Sequence, residues 1–363
     1  MKVLLSCAPN GAFEALPDYL TSALRRLGHE VLLFDHRGFL LPGRIRSRIG
    51  WIDRAERTRI NARLLALARS ARPDIVVVNQ GTVLEPRTIE AVRERGIRCV
   101  NWFSDFPAEF ERGLETAPAY DAFYLGSSYA ALRHAEAGHL HAHWLPFACD
   151  PEVHRPVPRP RRGRPPGSAA PVVFVGSYYP ERQVLLRFLR GLPVGVWGPG
   201  WERAAGDPDL APMLRGGSLR PAEWVELFAS ARAVLNIHYG ALGPRAVSGD
   251  MANTRVFEIL GCGAYQIVNR QADALRLFRE GQHLDGFSSG EELREAVERA
   301  LADRARARRI ALAGREAVLR SHTYEHRALR LLSPAAAGLG AMEEDVAPRA
   351  RRTPLPAAGG AGR

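Results

Sequence analysis

Residues 250–266 (DMANTRVFEILGCGAYQ) gather two carboxylates, an asparagine, an arginine and two glycines between two apolar runs, 233–237 and 265–268. The runs have the character of buried strands. That arrangement places Asp250, Asn253, Arg255 and Glu258 at or near the start of a joining helix. A polar helix start between two strands is where α/β proteins build ligand sites, because free N–H groups and the helix dipole favour an anion there. Arg255 and the backbone around Asn253 and Thr254 could face such an anion. Glu258 could accept hydrogen bonds from a ligand, or could pair with Arg255 three residues earlier on a solvent-facing helix.

Other residues could do chemistry with this group. Asp105, in NWFSDFP, follows a strand-like run and is the best-placed carboxylate of the first half. Facing a cleft it could take a proton as a general base; otherwise it caps a helix. His238 follows LNI and is either a hydrogen-bonding ligand contact or a structural histidine. Trp197 and Gly198, in VWGPGW, offer a stacking face at a strand end or simply fill core. Gly176 and Ser177, in FVGSYYP, would let a backbone approach phosphate or make a plain turn. Arg182 just beyond them is a cation for that phosphate or a solvated helix residue. Gly11, in CAPNG, would close over the same group from the other half.

These residues need a scaffold. Apolar strands at 2–6, 30–34, 75–78, 97–103, 120–125 and 141–145 alternate with helical patterns at 16–27, 55–71, 86–95 and 127–137. The stretch 37–54 is a basic connection. Residues 150–170 are rich in proline and arginine and have the composition of a joint that packs nothing. Strands at 172–175, 194–197 and 234–237 and helices at 180–189, 221–231, 290–301, 304–320 and 324–332 follow. The expected organisation is an N-terminal Rossmann-like domain at 1–150, a linker at 151–170 and a second domain at 171–321. A crossover helix at 322–333 and a disordered tail at 334–363 complete it. The fold class is α/β, with two Rossmann-like domains and parallel sheets facing each other across a cleft. The glycine fingerprint of a dinucleotide site is missing, which argues against a dehydrogenase.

Composition narrows the classes further. The chain has 363 residues and a formal charge of +11, from 50 basic and 39 acidic side chains. Lys2 is the single lysine, a bias expected of a GC-rich genome rather than of a nucleic-acid surface. The charge favours anions in general, with no specific nucleic acid implied. Four scattered cysteines show no metal spacing, and no acidic DxD sits in a loop suited to a cation; HTYEHR lacks the zincin spacing. No transmembrane segment is expected, although peripheral membrane contact is open, and the expected location is cytoplasmic.

In order along the chain, LGHEV, RPDIVVV, NWFSDFP, YDAFYLGSS, LPFACDPEVHRP, FVGSYYPER, VWGPGW, DMANTRVFEILGCGAYQ and HTYEHR resemble the CgeB-like (spore-maturation) family of GT-B glycosyltransferases over residues 1–330. The resemblance implies a GT-B-like fold with a C-terminal crossover helix, and a nucleotide-sugar donor, UDP- or another NDP-sugar, held by the C-terminal domain. An acceptor (glycan, protein or small molecule) would lie over the N-terminal domain. It also implies a bacterial hexosyl transfer with no resident cofactor and no metal. Glu258 then takes the ribose-binding position of a Glu-x7-Glu pattern, and Asp250 stands at the first position, one methylene shorter than the usual glutamate. With that pattern the transfer is expected to be retaining; an in-line Asp105 would instead allow inversion. His238 would touch the donor sugar or diphosphate, and Trp197 the base. A non-catalytic nucleotide- or glycan-binding protein of an envelope or spore-coat assembly is the alternative.

Overall fold

The computed structural model describes residues 1–9, 15–104, 109–157, 170–239 and 251–334. The first half contains β1 (Lys2–Cys7), α1 (Leu16–Arg26), β2 (Glu30–Asp35), α2 (Gly43–Arg46), α3 (Gly50–Ala71) and β3 (Ile75–Asn79). It continues with α4 (Pro86–Arg93), β4 (Arg98–Phe103), α5 (Phe110–Thr116), β5 (Ala122–Leu125), α6 (Ser128–Glu136) and β6 (Ala142–Trp144). The second half has β7 (Val172–Val175), α7 (Pro180–Arg187), β8 (Val194–Trp197), β9 (Leu214–Gly216), α8 (Pro221–Ser230), β10 (Ala233–Asn236) and α9 (Thr254–Gly261). It ends with β11 (Gln266–Asn269), α10 (Ala272–Leu277), β12 (Asp285–Phe287), α11 (Gly290–Ala302), α12 (Arg304–Ser321) and α13 (Tyr324–Leu332).

The strands form two six-stranded sheets, ordered β2-β1-β3-β4-β5-β6 and β12-β11-β10-β7-β8-β9. Every described pairing is parallel. The sequences require this. β3 is IVVVN and β7 is VVFV, buried at every residue, as strands covered by helices on both faces must be. Strand order reverses between β1 and β3 in the first sheet and between β7 and β10 in the second. Such reversals open a crevice at the carboxyl ends of the strands.

The chain then returns to its first half. α13 packs on α1, with the rings of Tyr19 and Tyr324 5.5 Å apart. Arg26 reaches Asp150 at 2.9 Å and also pairs with Glu325. Arg327 is 1% exposed and donates to the carbonyls of Pro146, Phe147 and Ser321. One apolar cluster therefore includes residues of β1, β3 and β4 together with α9, α12 and α13.

Some expectations need correction. The connection 37–54 is partly helical: it contains α2, and α3 begins at Gly50 rather than at residue 55. Asp53 in the first turn of α3 favours that start by complementing the dipole, and it pairs with Arg46 and Arg57. The stretch beginning at residue 150 does pack at its start, because Asp150 and His154 are buried and His154 stacks on Trp224. The rest of that stretch, 158–169, and the tail from 335 lie outside the described residues. Short elements went unanticipated. β12 is only Asp-Gly-Phe, and its buried Asp285 is satisfied by Tyr265 and Arg306 rather than by apolar neighbours. No helix among the described residues is long and apolar enough to cross a membrane.

Candidate functional site

A cavity of about 700 Å³ opens between the two halves. Its first wall is built where strands end: Ala8 and Pro9 after β1, His36 and Arg37 after β2, Asn79 and Gln80 at β3, and Ser104 after β4. The opposite wall is Thr254, Arg255 and Glu258 of α9 with Trp224 of α8. Tyr19 and Tyr324 also line it. The cavity thus occupies the β1/β3 reversal, where the topology leaves room for a ligand.

The start of α9 is held by a polar network. Asn253 caps the helix, its Oδ1 accepting from the Val256 N–H at 3.2 Å. Its side-chain amide exchanges two 3.0 Å hydrogen bonds with Asn236 at the end of β10. The Asn253 N–H donates to His238 Nε2 at 3.2 Å, and His238 Nδ1 lies 2.9 Å from Asn269 Oδ1. Burial pushes the His238 imidazole down to about 4, so it is neutral at physiological pH. His238 therefore uses both ring nitrogens inside the protein and does not line the cavity. In this arrangement His238 helps position the start of α9. Asn253 likewise acts through its cap.

Arg255 and Glu258 do face the cavity. Arg255 Nη1 donates to Glu258 Oε2 at 2.7 Å, and its guanidinium lies 4.3 Å from the centre of the Trp224 ring. The i,i+3 pair anticipated from spacing is present, but Glu258 is only 7% exposed, so it is no solvent-facing helix carboxylate. A buried ion pair lining a cavity offers a ligand both an acceptor and a cation.

Gly176, Ser177, Arg182, Trp197 and Gly198 assemble at the carboxyl ends of β7 and β8. Gly198 has φ +142°, and a Cβ there would meet the Gly176 carbonyl oxygen at 2.0 Å. These glycines let two loops touch each other. Arg182 donates to the Ile237 carbonyl through Nε and Nη2 and to the Ser177 carbonyl through Nη1. Burial lowers it to about 10, which leaves it a cation at neutral pH. It ties the β7 loop to the end of β10 and is no solvated helix residue. Trp197 is 7% exposed and belongs to an apolar cluster with Trp224, Val225 and Phe228. Gly11, Asp105 and Asp250 lie outside the described residues.

The first wall was largely missed from sequence. Gln80 has φ +70°, uncommon for a residue with a side chain, and is followed by Gly81 at φ +66°. Its Oε1 accepts from the Ser104 N–H at 2.9 Å and its carbonyl accepts from Asn101 at 3.2 Å. His36, beside Ser6 Oγ at 3.1 Å, is also pushed down to about 4 by burial. The available signal was position: each follows a continuous apolar run. Among the described residues no group of three or more His, Cys, Asp or Glu is arranged to hold a metal. All four cysteines are unpaired and buried, and burial raises Cys7, Cys99 and Cys149 to about 12. None is a ready nucleophile.

Comparison with solved structures places this architecture. Sucrose-phosphate synthase from Thermosynechococcus elongatus superposes with a TM-score of 0.66 at 12% identity, covering 91% of this chain and 96% of that one. Anabaena HepE in complex with UDP and glucose gives 0.60 at 12% identity, covering 91% and 98%. The chain has the GT-B fold. The N-terminal domain of Candida albicans trehalose-6-phosphate phosphatase shares it as well, with a TM-score of 0.63 at 11% identity, covering 91% and 95%. At such identities the likeness speaks for fold alone. Residues 182–333 match the family model described as glycosyl transferase-like, a span that holds Arg255 and Glu258. No curated protein sequence matches the chain.

Proposed function

We propose that this GT-B protein transfers a sugar from a nucleotide-sugar donor to an acceptor. The observation that carries the reading is the buried Glu258–Arg255 pair, which lines a cavity between two parallel sheets and lies inside the glycosyl transferase-like span. Glu258 would accept both vicinal ribose hydroxyls, which a carboxylate suits because it offers several lone pairs in one plane. Arg255, the cationic Arg182 and the N–H groups at the start of α9 would meet the diphosphate and stabilise charge as it leaves. HepE was solved with UDP and with glucose, which supports UDP as the first nucleotide to try.

The finer assignments belong to the same proposal. Asp250 would contact the donor sugar, and front-side retaining transfer without a metal would need no base. Asp105 remains the candidate base if the product is inverted. The CgeB-like subfamily, hexosyl transfer and a cytoplasmic location complete it. A donor-hydrolysis assay tests the reading. Wild-type protein should release nucleoside diphosphate from one member of a panel of UDP-, GDP-, ADP- and TDP-sugars, and Glu258→Ala should lose most of that rate. Nucleotide binding without turnover on any donor would instead favour a binding protein.

A further inference from the structure

The strap that follows β2 does not bury its apolar side chains. Leu40 is 72% exposed and Trp51 73%, and Leu41, Ile45 and Ile49 between them are each 38% exposed. Of the six tryptophans Trp51 alone is exposed. A run of large apolar residues left in water calls for an occupant. Charge says which kind. Between residues 37 and 59 stand seven arginines against only Asp53 and Glu56. Both carboxylates are already engaged, Asp53 by Arg46 and Arg57 and Glu56 by Arg59. Arg44, Arg48 and Arg54 are exposed and make no ion pair among the described residues. The segment is anchored from behind: Arg59 donates to the Gly38 carbonyl, the Leu40 N–H to Glu56, and Arg46 lies 3.4 Å over the Phe39 ring. Arg37, at its start, is exposed and lines the cavity.

Exposed leucine, isoleucine and tryptophan interleaved with uncompensated arginine, on a short helix and the first turn of another, is the chemistry of an interfacial segment on anionic lipid. Tryptophan prefers the water–hydrocarbon boundary, and arginine reaches phosphate from beside it. We propose that residues 40–54 dock the protein on an anionic phospholipid surface, setting the cavity beside the bilayer. The proposal does not rest on the transfer reading, since lipid binding needs no nucleotide.

Vesicle co-sedimentation of the full chain tests it, using phosphatidylcholine alone and phosphatidylcholine with about a third phosphatidylglycerol. The protein should bind the second and not the first, and less as salt rises. The triple variant Arg44→Gln, Arg48→Gln, Arg54→Gln should lose on the order of a hundredfold in partitioning, about fivefold per basic residue at the surface. The double variant Leu40→Ser, Trp51→Ser should lose at least about tenfold while melting at the wild-type temperature. Trp51→Phe should still bind but lose the blue shift in emission that the vesicles produce. Equal binding to both vesicles, binding to neither, or an unchanged triple variant would overturn the proposal. A short DNA duplex that displaces the vesicles and binds the serine variant undiminished would overturn it too, as would self-association through this face.

Discussion

A buried carboxylate needs a partner, and Glu258 has Arg255 at 2.7 Å with Trp224 behind the guanidinium. Spacing alone showed that the two could meet, and the following ILGCG marked where the helix would run. What spacing could not show was burial, because α8 and the first half's strand ends both close over the pair. His238 was harder to interpret. A lone histidine after a strand looks the same whether it touches a ligand or a helix cap, and only its neighbours Asn253 and Asn269 decide. Its low protonation point has a consequence. Below about pH 6.5 the unfolded chain takes up a proton that native His238 refuses until about pH 4. The stability it confers is full above that window and is lost as pH falls through it, by up to about 3 kcal/mol. His36 and His134, also pushed down to about 4 by burial, act in the same direction. Urea midpoints at pH 7.5 and 4.5 should therefore fall less steeply in His238→Gln than in the wild type. Gly198→Ala should cost at least about 2 kcal/mol by urea unfolding, since the methyl group meets the Gly176 carbonyl oxygen and the backbone stands at φ +142°.

α9 is the element on which the site depends. Its cap does three things at once: it terminates β10 through Asn236, positions His238 and frees the first turn to face the cavity. Asn253→Ala should cost about 3 kcal/mol, roughly 1 for the cap and the rest for leaving Asn236 buried without its partner. The same variant should weaken nucleotide binding even where the protein remains folded, and calorimetric titration would show both. Strands such as IVVVN were legible because continuous β-branched runs have few other uses. Helices led by proline, α7 and α8, were legible because proline fits the first turn. β9 and β12 were not, being three residues each and stabilised by partners distant in sequence. The strap 37–54 resembled a loop because its helical turns bury almost nothing of their own.

At the scale of the whole molecule, α13 decides how the two halves meet. Arg327 carries a buried charge that no carboxylate neutralises among the described residues; three backbone carbonyls satisfy it instead. Arg327→Leu would strand those carbonyls and should cost about 3 kcal/mol or more, seen as a lower urea midpoint. The two-half organisation was legible from the restart of strand–helix alternation after a proline-rich stretch. The cavity was not, because its walls come from the ends of four strands and from α1, α8, α9 and α13, which only the folded chain brings together. In the function proposed above, this cavity holds a nucleoside diphosphate through Glu258. Thermal melting of wild type and Glu258→Ala with saturating UDP, GDP, ADP and TDP tests it most directly. At a ligand concentration a hundred times Kd the expected stabilisation is about 2.7 kcal/mol, so one nucleotide should raise the melting temperature of the wild type by several degrees. The variant, which should melt lower when unliganded because Arg255 loses its buried partner, should show no such rise above its own unliganded value. No rise with any of the four, or an equal rise in both proteins, would contradict the claim.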